Sequence, residues 1–332
     1  MIKTAEFVSL GHPDKTADYI TSYILDRLIE QDASVRYAVE VMVKDNTVVL
    51  GGEICGKSTN IDFAKCVKDA LRKIGYDERY ALIWGDKAIN INKVKVINLI
   101  GCQSCEIAQG VDNNGWGDQG VYVGYACQGD GLINRELFLA KKLNRALYEK
   151  ARTSDNLGLD IKTQITLDNG KIKTAIVAIP MLKDEDLKEF VCKVLGEKPQ
   201  QIIINGTGNY TYHSAVADCG ITGRKLACDF YSAACPIGGG SPWSKDASKA
   251  DVTLNLYARK LAVENLKDND EVWVYLSSCI GKSELPSAVL KCRKGATISE
   301  SNLQAEMQPQ VLIKELGLDK PVFAELCRNG LV

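Results

Sequence analysis

The chain has 332 residues, 45% apolar and 25% charged, a composition that excludes a disordered or fibrous protein and a length that points to two or three domains. With a net charge of -1 no broad basic surface argues for nucleic acid, and no apolar run nears the ~20 residues of a membrane span. The opening residues, MIKTAEFVSLGHPDK, carry no apolar leader core, so a cytoplasmic protein is expected.

Over residues 14–31, Ala17, Ile20, Ile24 and Leu28 recur every three or four positions, which predicts an amphipathic helix. Val35, Tyr37, Val39, Val41 and Val43 alternate as a strand, Asp45-Asn46 turns the chain, and TVVLGGEI returns it. Glu40 and Met42 fall on the face opposite the valines. Ile61, Ala64, Val67, Leu71 and Ile74 mark a second helix stopped by Gly75. This helix, hairpin, helix unit then recurs. Residues 136–150 read as a helix through Leu137, Ala140, Leu143 and Leu147. IKTQITLDNGKIKTAIVAI reads as a hairpin turning at Asp168-Asn169-Gly170, with Lys162 facing away from Ile161 and Ile165, and residues 184–195 as a helix. A weaker third copy runs from a helix over 248–266, through the strands EVWVYLSSC and SAVLKC, to the short helix PQVLIKEL.

Three such units predict an α+β protein of three similar domains, each with helices packed on one face of a mixed sheet, related by pseudo-threefold symmetry. The expected boundaries are 1–105, 106–211 and 212–332, with elements free to exchange between domains. The opposite sheet faces require cover from a neighbouring domain or a partner subunit.

Twelve cysteines are scattered, and only Cys102 and Cys105 form a C-x-x-C pair. With two histidines in the chain, His12 and His213, no zinc set of four is spaced. Reduced thiols packed as small hydrophobes are expected ahead of a redox pair.

The unusual chemistry lies in the loops before the helices. SLGHPDKTAD places His12 beside Gly11, outside the helix, and Asp14 after a proline, as either a helix cap or a ligand. QGVDNNGWGDQGVYVGYA gathers glycines at 110, 115, 117 and 120 around Asp118, just before an apolar strand. Farther on, Asp218, Arg224, Lys225, Lys245, Lys249 and Asp251 fall within 34 residues on glycine-rich loops. Each cation alone reads as a solvated charge. Together they fit a polyphosphate clamp, with Asp14 and Asp251 available to Mg²⁺, which takes a few carboxylates plus substrate phosphates. The glycine spacing is not that of a Walker A loop.

GHPDK, GDQGVYVGYA, DCGITGRK and GGGSPWSKDASKAD, with AVEVMV, GGEI, GCQSCEIAQGVD and NGTGNY, resemble the S-adenosylmethionine synthetases, in order along nearly the whole chain. The resemblance implies three similar α+β domains and a homodimer, or a dimer of dimers, with active sites between subunits. It implies attack of the methionine sulfur on C5′ of ATP, release of tripolyphosphate, and its cleavage to phosphate and pyrophosphate. By position, His12 matches the histidine that assists C–O cleavage, and Lys162, Arg224, Lys225, Lys245 and Lys249 match phosphate-side cations. Asp14 and Asp251 match ligands of two Mg²⁺, and Glu40 a carboxylate linked to K⁺. Glu53 and Gln103 match residues that hold the methionine head group, and Asp118 and Asp218 acids around methionine and nucleoside. Tyr210 matches an aromatic stacked on adenine, and Ile280 an apolar adenine contact. No nucleic-acid or membrane partner is implied.

The chain departs from the family's pattern at Leu10, Trp116, Asn209 and Ile237. It also has SPWSKD where the family has AFSGKD, which adds Trp243 and loses a glycine. These departures leave open an enzyme for another thioether amino acid, or an inactive homologue that binds nucleotide or a partner.

Overall fold

The computed structural model describes residues 2–57, 60–102, 115–304 and 308–332. In chain order these residues form β1 (Ile2–Val8), α1 (Pro13–Ile29), β2 (Arg36–Lys44), β3 (Thr47–Cys55), α2 (Phe63–Ile74), α3 (Glu78–Trp84), β4 (Lys95–Cys102) and β5 (Gly120–Cys127). Then follow α4 (Arg135–Arg152), β6 (Lys162–Asp168), β7 (Lys171–Ala178), α5 (Lys188–Leu195), β8 (Gln201–Ile204), α6 (Ser214–Ala217), β9 (Gly220–Ile221) and α7 (Leu226–Asp229). The last third holds α8 (Ala250–Glu264), β10 (Glu271–Ser278), β11 (Ser287–Lys294), β12 (Thr297–Asn302), α9 (Pro309–Glu315) and α10 (Phe323–Asn329).

The expected α+β architecture is present, with three four-stranded sheets in the orders β9-β2-β3-β4, β1-β6-β7-β8 and β5-β10-β11-β12. Each is built on an antiparallel hairpin, β2/β3, β6/β7 or β10/β11. Each hairpin is flanked on one side by an antiparallel strand from elsewhere in the chain. The exchange is cyclic. β1 leads into α1 yet joins the second sheet, β5 leads toward α4 yet joins the third, and β9 precedes α8 yet joins the first. Each long helix packs on its own hairpin and on the imported strand: α1 on β2 and β9, α4 on β6 and β1, α8 on β10 and β5.

The first two sheets end in a parallel strand, β4 beside β3 and β8 beside β7. A helix separates those strands in sequence, which a parallel crossover requires. In the third sheet β12 follows β11 through a short turn at Gly295 and so pairs antiparallel. The third copy of the unit therefore differs at its far edge.

Alternation explains which residues are inside. Val39, Val41 and Val43 of β2 and Val48 and Leu50 of β3 are buried beneath α1, whose Ile20, Ile24 and Leu28 are fully enclosed. In the second hairpin Leu167 opposes Ile172 while Thr166 opposes Thr174, so Lys173 is an extra residue. This bulge moves the buried positions of β7 from Ile172 to Ala175 and Val177. α5 starts at Lys188 rather than near 184, because Asp186 Oδ1 accepts the Lys188 N–H and holds the preceding residues as a turn. Among the described residues no helix is long and apolar enough to cross a membrane.

The outer face of the first sheet is not covered by the described residues. Met42, Ile97, Leu99 and Ile221 lie on it and are 41%, 46%, 66% and 36% exposed.

β5 packs closely against α8. A Cβ added at Gly124 would stand 1.9 Å from the Ala258 carbonyl oxygen of α8. Gly124→Ala is expected to cost about 1–3 kcal/mol by overpacking, read as a lower urea midpoint at unchanged m-value. A midpoint equal to wild type would show that the β5–α8 contact is not that close.

Candidate active site

The site begins at a close approach of two backbones. A Cβ at Gly11 would lie 2.2 Å from the Leu159 carbonyl oxygen, so only glycine lets residues 9–14 run against residues 159–162. His12, not Asp14, is the cap of α1, and Asp14 stands in the first turn. The Asp14 N–H donates to His12 Nδ1 at 3.1 Å, which leaves the proton of the neutral ring on Nε2. Both side chains are buried, at 1% exposure. Burial, then the charges of Lys225 and Lys162, lower the His12 pKa to about 3. His12 is therefore a neutral imidazole offering one N–H.

The pairing of β9 with β2 delivers the rest of this group. Asp14 Oδ1 accepts the Ile221 N–H at 2.9 Å, Asp14 Oδ2 lies 2.5 Å from Lys225 Nζ, and Arg224 Nε lies 3.8 Å from Asp14 Oδ1. Asp218 faces the same ring electrostatically, and its Oδ1 accepts the Cys219 N–H at 2.8 Å. One member escapes sequence reading. Asp160 Oδ2 accepts the Ser214 N–H at 3.0 Å, while its Oδ1 is buried without a partner among the described residues. Burial lifts its pKa to about 6, against the charge of Lys162. The signal was available: Asp160 and Lys162 are two residues apart, a spacing that returns side chains to one face of an extended chain.

A second group gathers at the start of α8. Lys245 pairs with Asp251, and a Cβ at Gly240 would stand 1.9 Å from Asp251 Oδ1. Lys249 directly precedes the helix, and its ammonium has no hydrogen-bond partner among the described residues. The Asp118 carbonyl accepts from Ser278 Oγ at 2.7 Å, and Ser278 Oγ also lies 3.0 Å from the Tyr122 hydroxyl. Trp116, fully buried, pairs with the backbone of residues 280–282, beside which Ile280 is 59% exposed.

Glu40 joins the two groups. It accepts hydrogen bonds from Thr222 Oγ1 and, at 2.9 Å, from Ser244 Oγ. No hydrogen bond or ion pair among the described residues runs directly from one group to the other. Glu53 lies on the outer face of the first sheet, opposite Ala38. Tyr210 is half-buried, its carbonyl accepting the Met181 N–H, and burial raises its phenol well above the usual range. Gln103 lies outside the described residues, as does Cys105. Ten described cysteines are free thiols. No cluster of three or more His, Cys, Asp or Glu placed for a metal occurs among the described residues.

The two histidines make opposite predictions for one experiment. His213 Nδ1 lies 2.8 Å from the Thr211 carbonyl and Nε2 faces the Tyr80 hydroxyl, so its proton sits on Nδ1, and burial lowers its pKa to about 4. Nitrogen-resolved NMR at pH 5.5 should show one ring of each neutral tautomer. As pH falls from 6.5, the unfolded chain takes up protons that the folded rings refuse, so both histidines withdraw stability down to about pH 3–4. A ring titrating near 6.5 in the folded protein would overturn this assignment.

Residues 1–105 match the family described as S-adenosylmethionine synthetase, N-terminal domain, and residues 213–332 match the family's C-terminal domain. An S-adenosylmethionine synthase of Maridesulfovibrio salexigens is 33% identical, over 96% of this chain and 89% of that protein. One of Pelagibacter ubique is 30% identical, over 98% and 91%. A solved S-adenosylmethionine synthetase from Campylobacter jejuni superposes with a TM-score of 0.88 at 30% identity, covering 100% of this chain and 94% of that one.

Proposed function

The chain belongs to the S-adenosylmethionine synthetase family, and from that premise we propose that it joins ATP and L-methionine to make S-adenosylmethionine. The observation that carries the reading is the neutral His12, whose Nε2–H has no partner among the described residues and which feels the charges of Lys225 and Lys162, with Arg224 3.8 Å from the adjoining Asp14.

Thioether sulfur is neutral and has no proton to lose, so a general base cannot activate it. Its lone pair forms the bond to C5′, the C5′–O5′ pair leaves with the triphosphate, and the product is a sulfonium. Catalysis rests on alignment and on stabilising charge at the departing oxygens. A neutral imidazole N–H can donate to O5′ as the bond breaks without first carrying a charge. Lys162, Arg224 and Lys225 stand on the same side to receive the phosphate oxygens, and Lys245 and Lys249 supply further positive charge from the α8 end. Water then divides the released tripolyphosphate into phosphate and pyrophosphate. Glu53, Gln103 and Asp118 serve methionine in this reading, and Asp160, Asp218, Tyr210 and Ile280 the nucleoside.

Asp14 and Asp251 are single hard-oxygen donors, each now neutralised by a lysine. That set suits Mg²⁺, which completes its shell with substrate phosphates rather than with a protein cage. When bound there, Mg²⁺ would offset the negative charge of the polyphosphate. Glu40, with the hydroxyls of Thr222 and Ser244, offers oxygen donors that fit K⁺.

A second copy of the chain completes the site in this reading. Support comes from the uncovered apolar face formed by Met42, Ile97, Leu99 and Ile221, which also carries Glu40 and Glu53. Leu99→Glu is expected to halve the mass seen by light scattering and to remove most activity. A monomeric wild type of equal activity would sink the dimer.

Purified protein with ATP, methionine, Mg²⁺ and K⁺ should yield S-adenosylmethionine, phosphate and pyrophosphate by mass. ATP binding without turnover would refute the activity. Lys245→Ala should lower kcat by about 10²–10³-fold while methionine KM moves less than about 3-fold. Equal changes in both would deny Lys245 a leaving-group role.

A further inference from the structure

Trp243 belongs to neither group described above, and it is one of the residues by which the chain departs from its family. It is 2% exposed. Its indole N–H donates to Asp229 Oδ2 at 2.8 Å. The same oxygen accepts from Lys15 Nζ at 2.7 Å, and that ammonium lies 4.8 Å from the Trp243 ring centroid. Lys15 also pairs with Asp18 Oδ2 at 3.2 Å, and Asp18 Oδ1 accepts the Gly223 N–H at 2.8 Å. Lys15, Asp18 and Asp229 are at most 2% exposed. Charges so buried persist only while every partner stays in place.

The two ends of this network are the two phosphate-side loops. Gly223 stands directly before Arg224 and Lys225, and Trp243 directly before Ser244 and Lys245. Ser244 has φ 74°, a left-handed conformation that a residue with a side chain adopts at a cost. Its Oγ bond to Glu40 and its carbonyl, which accepts the Val39 N–H at 2.9 Å, hold it on one side. On the other side the neighbouring anchor is Trp243, whose own N–H donates to Ser241 Oγ at 3.2 Å.

We propose that Trp243 is a positioning residue: through Asp229 and Lys15 it pins the strained turn that presents Lys245 to the departing triphosphate, and it locks that turn to the loop carrying Arg224 and Lys225. The proposal rests on the reaction proposed above. Trp243→Phe keeps an aromatic ring beside Lys15 and removes the N–H. It should lower kcat about 10-fold and leave methionine KM within about 2-fold. Calorimetric affinity for tripolyphosphate, supplied with Mg²⁺ here and below as its non-hydrolysable imido analogue, should weaken about 10-fold, because the turn is loosened. Unchanged kcat and tripolyphosphate affinity overturn the proposal. So does a rise in methionine KM equal to the fall in kcat, the mark of a fold loosened everywhere. Should the variant fail to fold, wild-type protein carrying 5-fluorotryptophan reads the same contact. The four tryptophans are resolved by replacing Trp84, Trp116 and Trp273 in turn. The remaining resonance moves on adding tripolyphosphate if Trp243 is coupled to the turn, and a fixed resonance overturns the proposal. A wild type that binds tripolyphosphate but makes no S-adenosylmethionine defeats the proposed reaction alone, since both binding measurements are made without turnover.

Discussion

Each long helix of this protein buries its apolar stripe against its own hairpin and a strand drawn from another stretch of the chain. α1 needs β9, α4 needs β1 and α8 needs β5. None of the three helix–hairpin units is closed by itself, so the sheets are interlocked. Two apolar cores follow. A large one unites the first two sheets with the face of the third that is turned away from α8, and a smaller one fills the space between the third sheet, α8 and α9.

The same exchange builds the candidate site. β9 contributes only Gly220–Ile221 to the first sheet, yet that short pairing carries residues 221–225 across the start of α1. It sets the Ile221 N–H on Asp14, Thr222 on Glu40, and Lys225 beside His12. A two-residue strand has little intrinsic stability. Its position is held instead by side chains that already belong to other elements, Asp14 and Asp18 from α1 and Glu40 from β2.

The electrostatics are those of groups kept from water. Burial and flanking lysines keep His12 neutral, while burial lifts Asp160 into the range where a carboxylate meets neutral pH. Beneath them, burial also raises the Asp18 carboxyl above its usual range, in spite of Lys15. Carboxyls raised by burial stand here beside lysines and an arginine. Perturbed groups of this kind cluster at functional sites.

The sequence by itself determined the repeating units, their hairpins and the buried positions of each long helix, because a period of 3.6 or 2 reports burial directly. Its glycine-rich loops also exposed the cations and carboxylates that converge, Asp14, Arg224, Lys225, Lys245 and Asp251 among them. Asp160 stayed hidden because, beyond nearby Lys162, its meaning depends on Ser214, Asp218 and Lys225, which its own neighbours do not predict. The edge strands β1, β4, β8, β9 and β12 were equally silent, since their partners lie across the chain and local alternation says nothing about pairing. Capping by His12 rather than Asp14, and the single oxygen of Asp229 shared by Lys15 and Trp243, are likewise facts of three dimensions. Only tertiary structure decided which strand joined which sheet, because pairing energy is spent on residues that sequence keeps far apart.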